Sequence, residues 1–330
     1  MGHWANKRVL ITGAGGFIGS HLAEHLAHLG ARVRALVRYN GRNDWGALEF
    51  LDDETRGALE VTSGDIRDGG FMHKVMRDRE VVFHLAALIA IPYSYAAPQS
   101  YVDTNVGGTL NVLQAAREVR PERIVVTSTS EVYGTARYVP IDEDHPLHPQ
   151  SPYAATKVGA DKLAESFHST YGLRITIIRP FNTYGARQSA RAVIPTIVTQ
   201  ALAGRSVRLG MVDTVRDVML AQDTVRGFLS VTEASGTVGE VVNIGTGIGV
   251  SVRDLVNRVG GILDKDLELI TDGRRLRPDA SEVGTLIASF EKARTLAGWA
   301  PHVGLDEGLR RTVEWLAAHT DHYKPAVYNI

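Results

Sequence analysis

Apolar residues along the first half of the chain follow two alternating rhythms. Arg8–Thr12 is a short β-branched run. It leads into Gly16–Gly30, where Phe17, Ile18, Leu22, Leu26 and Leu29 form one stripe at helical spacing. Arg32–Val37 returns to strand character, and Leu59–Thr62, Val81–Leu85, Arg123–Thr127 and Arg174–Ile178 read as further strands. Thr104–Glu118 and Pro152–Thr170 read as helices between them. Such alternation predicts an α/β fold, a doubly wound parallel sheet covered by helices on both faces. After Pro180 the rhythm breaks up. Pro195–Ala203 and Val252–Gly260 look helical, Arg205–Leu209 and Val241–Ile244 strand-like, and Leu305–Ala318 amphipathic. The expected organisation is a first domain over residues 1–180 and a smaller mixed α/β lobe over 181–330, with a segment near 213–245 returning to the first domain. No repeat or long linker intervenes, so the second lobe should lean on the first.

Composition narrows the partners. A net charge of −1 over 330 residues gives no field to recruit nucleic acid or an acidic membrane surface. The absence of cysteine excludes disulfides, thiol nucleophiles and thiolate metal sites. The histidines are scattered, without a helical pair beside a carboxylate, so no metal is expected. No apolar run approaches the roughly 20 residues of a membrane span. MGHWANKR lacks the apolar core of a secretory signal, so a cytoplasmic location is expected and Met1–Asn6 reads as a frayed leader.

Gly13, Gly16 and Gly19 are spaced G-x-x-G-x-x-G directly after the first strand and at the start of a helix. The first permits a tight turn, the second lets backbone N–H groups approach a pyrophosphate, and the third lets helix and strand pack closely. Phe17 and Ile18 open that helix, whose N-terminus favours an anion. The loop therefore predicts a bound dinucleotide, NAD or NADP. NAD-preferring sites usually carry an acid at the end of the second strand. This strand ends in Arg38, which can pair with a 2′-phosphate and leans towards NADP. The other reading is a solvated arginine beside a site that takes NAD through backbone contacts. Asp65 and Ile66, after a strand, are placed to meet the adenine. Leu85, Ala86 and Ala87 follow the next strand, where small residues let the cofactor pass.

Tyr153 and Lys157 stand four apart in SPYAATK, on one helical face. An ammonium beside the phenol should lower the phenol's pKa from about 10. The phenolate could then take a hydroxyl proton while the carbon is oxidised. Thr129, upstream in VTSTSEVYG, can hydrogen-bond the same hydroxyl; strand-end capping is the plainer role for it and for Ser130. Glu131 is either a helix-start acid or a base near the oxidised carbon.

TGAGGFIG, HLAA, STSEVYG, SPYAATK, RPFNTYG and LRPDASEV together resemble the extended short-chain dehydrogenase/reductase family over nearly the whole chain. The resemblance implies a Rossmann-type domain, a nucleotide-diphosphate sugar as substrate, and a homodimer paired through two helices per subunit. It also implies diphosphate contacts from Asn182, Arg216 and Arg277. Glu131 with Ser130 before it is similar to the GDP-mannose 4,6-dehydratases and also to UDP-glucuronate decarboxylases, so STSEVYG alone does not choose between elimination and decarboxylation; Arg38 after the second strand looks like the mannose-type dehydratases. The longer stretches look closest to dehydratases that make legionaminic-acid-type precursors. The expected reaction is thus water elimination to a 4-keto-6-deoxy sugar nucleotide, carried by Thr129, Ser130, Glu131, Tyr153 and Lys157. The alternatives are a 4-epimerase, a decarboxylase of a nucleotide-linked uronic acid and, outside catalysis, a nucleotide-sensing relative. Val215–Asp223 keeps the family's charged anchors but not its aromatics.

Overall fold

The computed structural model describes residues 2–328. Its strands are β1 (Arg8–Thr12), β2 (Arg32–Arg38), β3 (Glu60–Gly64), β4 (Val81–His84), β5 (Arg123–Thr127), β6 (Ile175–Pro180), β7 (Asn182–Tyr184), β8 (Ser206–Leu209), β9 (Val215–Leu220), β10 (Val241–Ile244), β11 (Gly249–Ser251), β12 (Glu268–Thr271) and β13 (Thr285–Leu286). Seven of them form one parallel sheet in the order β3-β2-β1-β4-β5-β6-β10. The order reverses between β1 and β4, and in open α/β sheets ligands bind outside the carboxyl ends of strands at such a reversal.

Each face of this sheet has its own core. On one side Val9, Ile11, Val33 and Phe83 pack with Leu22 and Leu26 of the helix Phe17–His28 and with Val225 and Phe228 of the helix Ala221–Glu233. On the other, Leu10, Val82, Ile124 and Ile177 pack with Val112 and Ala116 of the helix Gly108–Val119, and with Ala164 and Phe167 of the helix Pro152–Tyr171. The chain thus comes back to the sheet with Ala221–Glu233 and β10 after leaving it at β7. A third core joins Ile197, Val207, Val250, Leu255 and Leu309, where the helices Val193–Ala203, Val252–Leu263 and Leu305–Ala318 meet.

Two expectations need correction. The N-terminal residues are tied down rather than frayed: Trp4 is buried against Phe83, and its indole N–H donates to Glu233. Only Met1 of that stretch lies outside the described residues. The helix expected from Thr104 begins with a π-helical stretch, Val102–Gly107, before Gly108–Val119. There the Asn105 side chain turns inward, accepting from Leu88 N at 2.8 Å and donating to Leu88 O at 2.9 Å and Thr156 Oγ1 at 3.0 Å. The Arg216–Asp217 segment carries no clear strand pattern of its own in the sequence. It forms β9, which pairs with β7, β11 and β13. Among the described residues no helix is long and apolar enough to cross a membrane, and no cluster of His, Asp and Glu could hold a metal ion.

Candidate active site

The turn after β1 is shaped by contacts that leave no space for side chains. Gly13 has φ +72°, and a Cβ there would stand 2.8 Å from the Ala86 backbone. A Cβ on Gly19 would stand 2.2 Å from the Gly13 carbonyl oxygen. Gly16 caps the helix Phe17–His28 without any side-chain hydrogen bond, so its first-turn N–H groups stay available to an anion. These features fit a dinucleotide pyrophosphate. Ile18, Arg38, Asp65, Ile66, Leu85, Ala86 and Ala87 line the same cleft. The Asp65 carboxyl is held below its usual range, first by its bond to Arg67, whose Nη2 lies 2.6 Å from Oδ2.

At the end of β5, Thr129 caps the single turn Ser130–Tyr133, accepting from Glu131 N at 3.2 Å. Ser151 caps the helix Pro152–Tyr171, accepting from Ala154 N at 3.1 Å, and so places Tyr153 in its first turn. Tyr153, Thr129, Ser130 and Lys157 are all buried, and Glu131 is half-buried. Burial pushes the Tyr153 phenol well above its ordinary pKa. Hydrogen bonding to Thr129 pulls it back, and the Glu131 carboxylate raises it further. Lys157 Nζ donates to the Thr127 carbonyl at 2.6 Å, and burial lowers its pKa while Asp161 opposes the change. The expectation that Lys157 sets the phenol low is therefore corrected. The ammonium is bound to main chain one strand away, and desolvation dominates the phenol.

Glu131 also interacts with Arg216, linking this cluster to the second lobe. Arg216 sits on β9 with its guanidinium donating to the Val283 carbonyl at 2.7 Å and the Gly284 carbonyl at 3.1 Å. Asn182, exposed at the start of β7, and Arg277 complete this end. Every residue singled out from the sequence lines one continuous cleft of about 1360 Å³. Pockets for one drug-sized ligand span about 300–1,000 Å³, so a dinucleotide and a second ligand can share this one. Sequence reasoning missed Arg42, Trp45, Arg191, Arg275, Glu282 and Tyr328, which also line it. Glu282 stands inside the quoted LRPDASEV run and was legible there; the others carry no local signal.

Comparisons with known proteins agree with this geometry. The family model described as GDP-mannose 4,6 dehydratase matches residues 10–312. A dTDP-glucose 4,6-dehydratase of Streptomyces griseus is 34% identical, covering 97% of each chain. A UDP-glucose 4-epimerase of Mycolicibacterium smegmatis is 33% identical over 93% of this chain and 98% of its own. Among solved structures, a mutant UDP-glucuronic acid 4-epimerase from Bacillus cereus, in complex with a fluorinated UDP-glucuronic acid and NAD, superposes with a TM-score of 0.86 at 28% identity. The match covers 94% of this chain and 99% of that one. With a Rossmann-type sheet, a glycine cradle and a Tyr153–Lys157 helix opening on one cleft, the chain belongs to the extended short-chain dehydrogenase/reductase family of nucleotide-sugar dehydratases and epimerases.

Proposed function

We propose that this enzyme is a nucleotide-sugar 4,6-dehydratase. The observation that carries the reading is the placement of Glu131. Its carboxylate shares the cleft with Tyr153 and acts electrostatically on the phenol, with Ser130 adjacent. An acid beside the oxidised carbon serves elimination, whereas rotating a 4-keto sugar for epimerisation needs none.

A bound nicotinamide dinucleotide supplies the acceptor for hydrogen from C4 and the donor that later reduces C6. The chain's own residues handle the protons. Tyr153 takes the C4 hydroxyl proton, and Thr129, whose side chain favours the ionised phenol, orients that hydroxyl. Lys157, one helical turn on from Tyr153, keeps its ammonium on the Thr127 carbonyl. The ketone at C4 acidifies C5–H, and Glu131 removes that proton. Water leaves from C6 with a proton delivered by Ser130 or Glu131. As C6 is reduced, the proton first taken by Tyr153 goes to C5, so the cycle closes with loss of one water and each side chain in its starting form.

Arg38 and Arg42 line the adenosine end together and supply two cations for a 2′-phosphate, which supports NADP. Comparing NADP and NAD affinities tests this, and tighter NAD binding would overturn it. Pairing of two copies through the helices Gly108–Val119 and Pro152–Tyr171 belongs to the same proposal, with sedimentation as its test. The decisive experiment is mass spectrometry of a nucleotide-sugar panel after incubation. Loss of one water supports the dehydratase. An isomer of unchanged mass establishes the epimerase, which the 33% identical UDP-glucose 4-epimerase favours, and loss of carbon dioxide establishes a decarboxylase.

A further inference from the structure

The wall of the cleft beyond β2, where an adenosine ribose meets the end of the second strand, is held from behind by the far end of the chain. Trp45, Gly46, Ala47 and Phe50 line the cleft there, on and beside the short helical turn Gly46–Phe50. This turn is pressed onto the glycine loop. Ala47 N donates to the Gly15 carbonyl at 2.8 Å. Gly46 has φ +67°, and a Cβ on it would run into that same oxygen. A Cβ on Gly15 would in turn stand 2.6 Å from the Trp45 carbonyl oxygen. An outward shift of the turn therefore removes the hydrogen bond that holds Gly15 in the pyrophosphate loop.

Leu48 pins the middle of the turn in the first core, and Phe50 links its end to the second lobe. The Phe50 ring packs edge-on against Trp315, His319 and His322, with centroids 5.1, 5.6 and 4.8 Å away. Trp315 and His319 stand one turn apart where the helix Leu305–Ala318 ends, and their rings stack at 4.1 Å with 13° between planes. His319 Nδ1 donates to the Trp315 carbonyl at 2.8 Å, which fixes the stack. Tyr323 backs it, edge-on to Trp315, while its hydroxyl donates to the Gln188 carbonyl at 2.9 Å. Trp315 and Tyr323 both pack against the third core. Trp315, His319 and His322 stand behind the wall rather than in the cleft, so they reach a bound molecule only through Phe50.

We propose that the rings of Trp315, His319 and His322 form a clasp on Phe50 that holds the adenosine wall against the glycine loop, and so set how slowly the dinucleotide leaves this enzyme. These are positioning residues, since none of the three lines the cleft. The proposal needs a bound dinucleotide and no particular sugar chemistry. For the wall to open, Phe50 must leave three rings that belong to the other lobe, and Ala47 must leave the Gly15 carbonyl. Edge-on aromatic pairs add to the area they bury, so separating several at once is slow. A reaction that returns the nicotinamide to its starting form at each turnover is served by a cofactor that stays in place.

The test is the dissociation rate of reduced dinucleotide from the full chain, loaded with NADPH or NADH and chased with excess oxidised dinucleotide, read as loss of nicotinamide fluorescence. Phe50→Ala and Trp315→Ala should each release it about tenfold faster, the range expected for losing edge-on ring contacts. The Phe50→Ala/Trp315→Ala double variant should be no faster than either single, because both remove one contact. Trp315→Phe keeps a ring against Phe50 and should release at close to the wild-type rate. His322→Ala, at an exposed ring, should speed release about twofold to threefold and keeps the test open if Trp315→Ala does not fold. Release from Phe50→Ala at the wild-type rate, or accelerations that multiply in the double variant, overturns the proposal and leaves the nucleotide-sugar reading intact. A wild type that binds neither dinucleotide overturns both.

Discussion

Lys157 and Asp161, one helical turn apart, anchor on consecutive residues at the end of β5. Lys157 Nζ donates to the Thr127 carbonyl at 2.6 Å, and Asp161 Oδ2 accepts from Ser128 Oγ at 2.8 Å. Asp161 is fully buried and also receives Arg179 Nη2 at 3.0 Å, and Arg179 donates onward to the Tyr133 hydroxyl at 3.0 Å. Burial pushes the Asp161 carboxyl up, and Arg179 and Lys157 pull it back. One carboxylate thus stands between two buried cations. Asp161→Asn leaves both unneutralised and should cost about 3–5 kcal/mol, read from urea unfolding. Asp161→Asn/Arg179→Gln should recover only the part of that loss due to Arg179, because Lys157 stays buried without its carboxylate. A single variant as stable as wild type would show that the pair does not neutralise these charges.

Tyr153 and Glu131 divide the proposed reaction, so their variants should fail at different steps. Tyr153→Phe removes the group that takes the C4 hydroxyl proton, and turnover should fall by about 10²–10⁴. No transient reduced-nicotinamide absorbance should appear. Glu131→Gln should still show that transient but release no water from the sugar. Stopped-flow absorbance with product mass spectrometry checks both, and unimpaired water loss in Glu131→Gln would remove Glu131 from its role.

The glycine cradle makes a contrast within one chain. A Cβ at Gly19 would meet the Gly13 carbonyl oxygen at 2.2 Å, a backbone atom that cannot swing away. A Cβ at Gly57, the last residue of the helix Asp53–Gly57, meets nothing within 4 Å. Gly19→Ala should therefore weaken dinucleotide binding by more than about tenfold as the loop shifts off the pyrophosphate. Gly57→Ala should leave binding unchanged and alter stability by no more than about 1 kcal/mol, in the stabilising direction. Fluorescence titration and thermal unfolding of the two variants provide the measurement.

His84 gives the fold an acid limit. Thr109 Oγ1 donates to the Asn105 carbonyl at 2.6 Å, so it accepts from His84 Nε2 at 2.9 Å. Thr12 Oγ1 accepts from Ala86 N at 3.2 Å, so its proton goes to His84 Nδ1 at 2.8 Å. The neutral ring is fully satisfied, and a second ring proton would meet another donor. Burial first, then the Lys157 charge, lowers the pKa to about 3. A histidine depressed on folding contributes stability that is present above its unfolded pKa of about 6.5 and lost as pH falls towards the folded value. The loss should reach about 2 kcal/mol by pH 5. Urea midpoints at pH 7.5 and pH 5 should show it, and His84→Gln should flatten the dependence. Parallel slopes in the two proteins would assign the acid sensitivity elsewhere, for instance to buried His21, lowered to about 4 by burial.

What the amino-acid order determined by itself was local. The run Leu305–Ala318 was legible to the residue because amphipathic periodicity needs only neighbours three and four apart. The β1 turn was legible because glycine spacing reports backbone sterics within a few residues. Side chains on one helical face made the pairing of Tyr153 with Lys157 visible, but not what Lys157 touches. Its partner Thr127 comes from another element, brought close by the parallel crossover between β5 and β6. The same holds for the pressing of Gly13 against Ala86, the inward turn of Asn105, the return of Ala221–Glu233 to the first core and the stacking of Arg275 on Tyr328. Each joins residues tens of positions apart, and only the buried sheet and its crossovers, by removing alternative packings, decide which distant side chains meet.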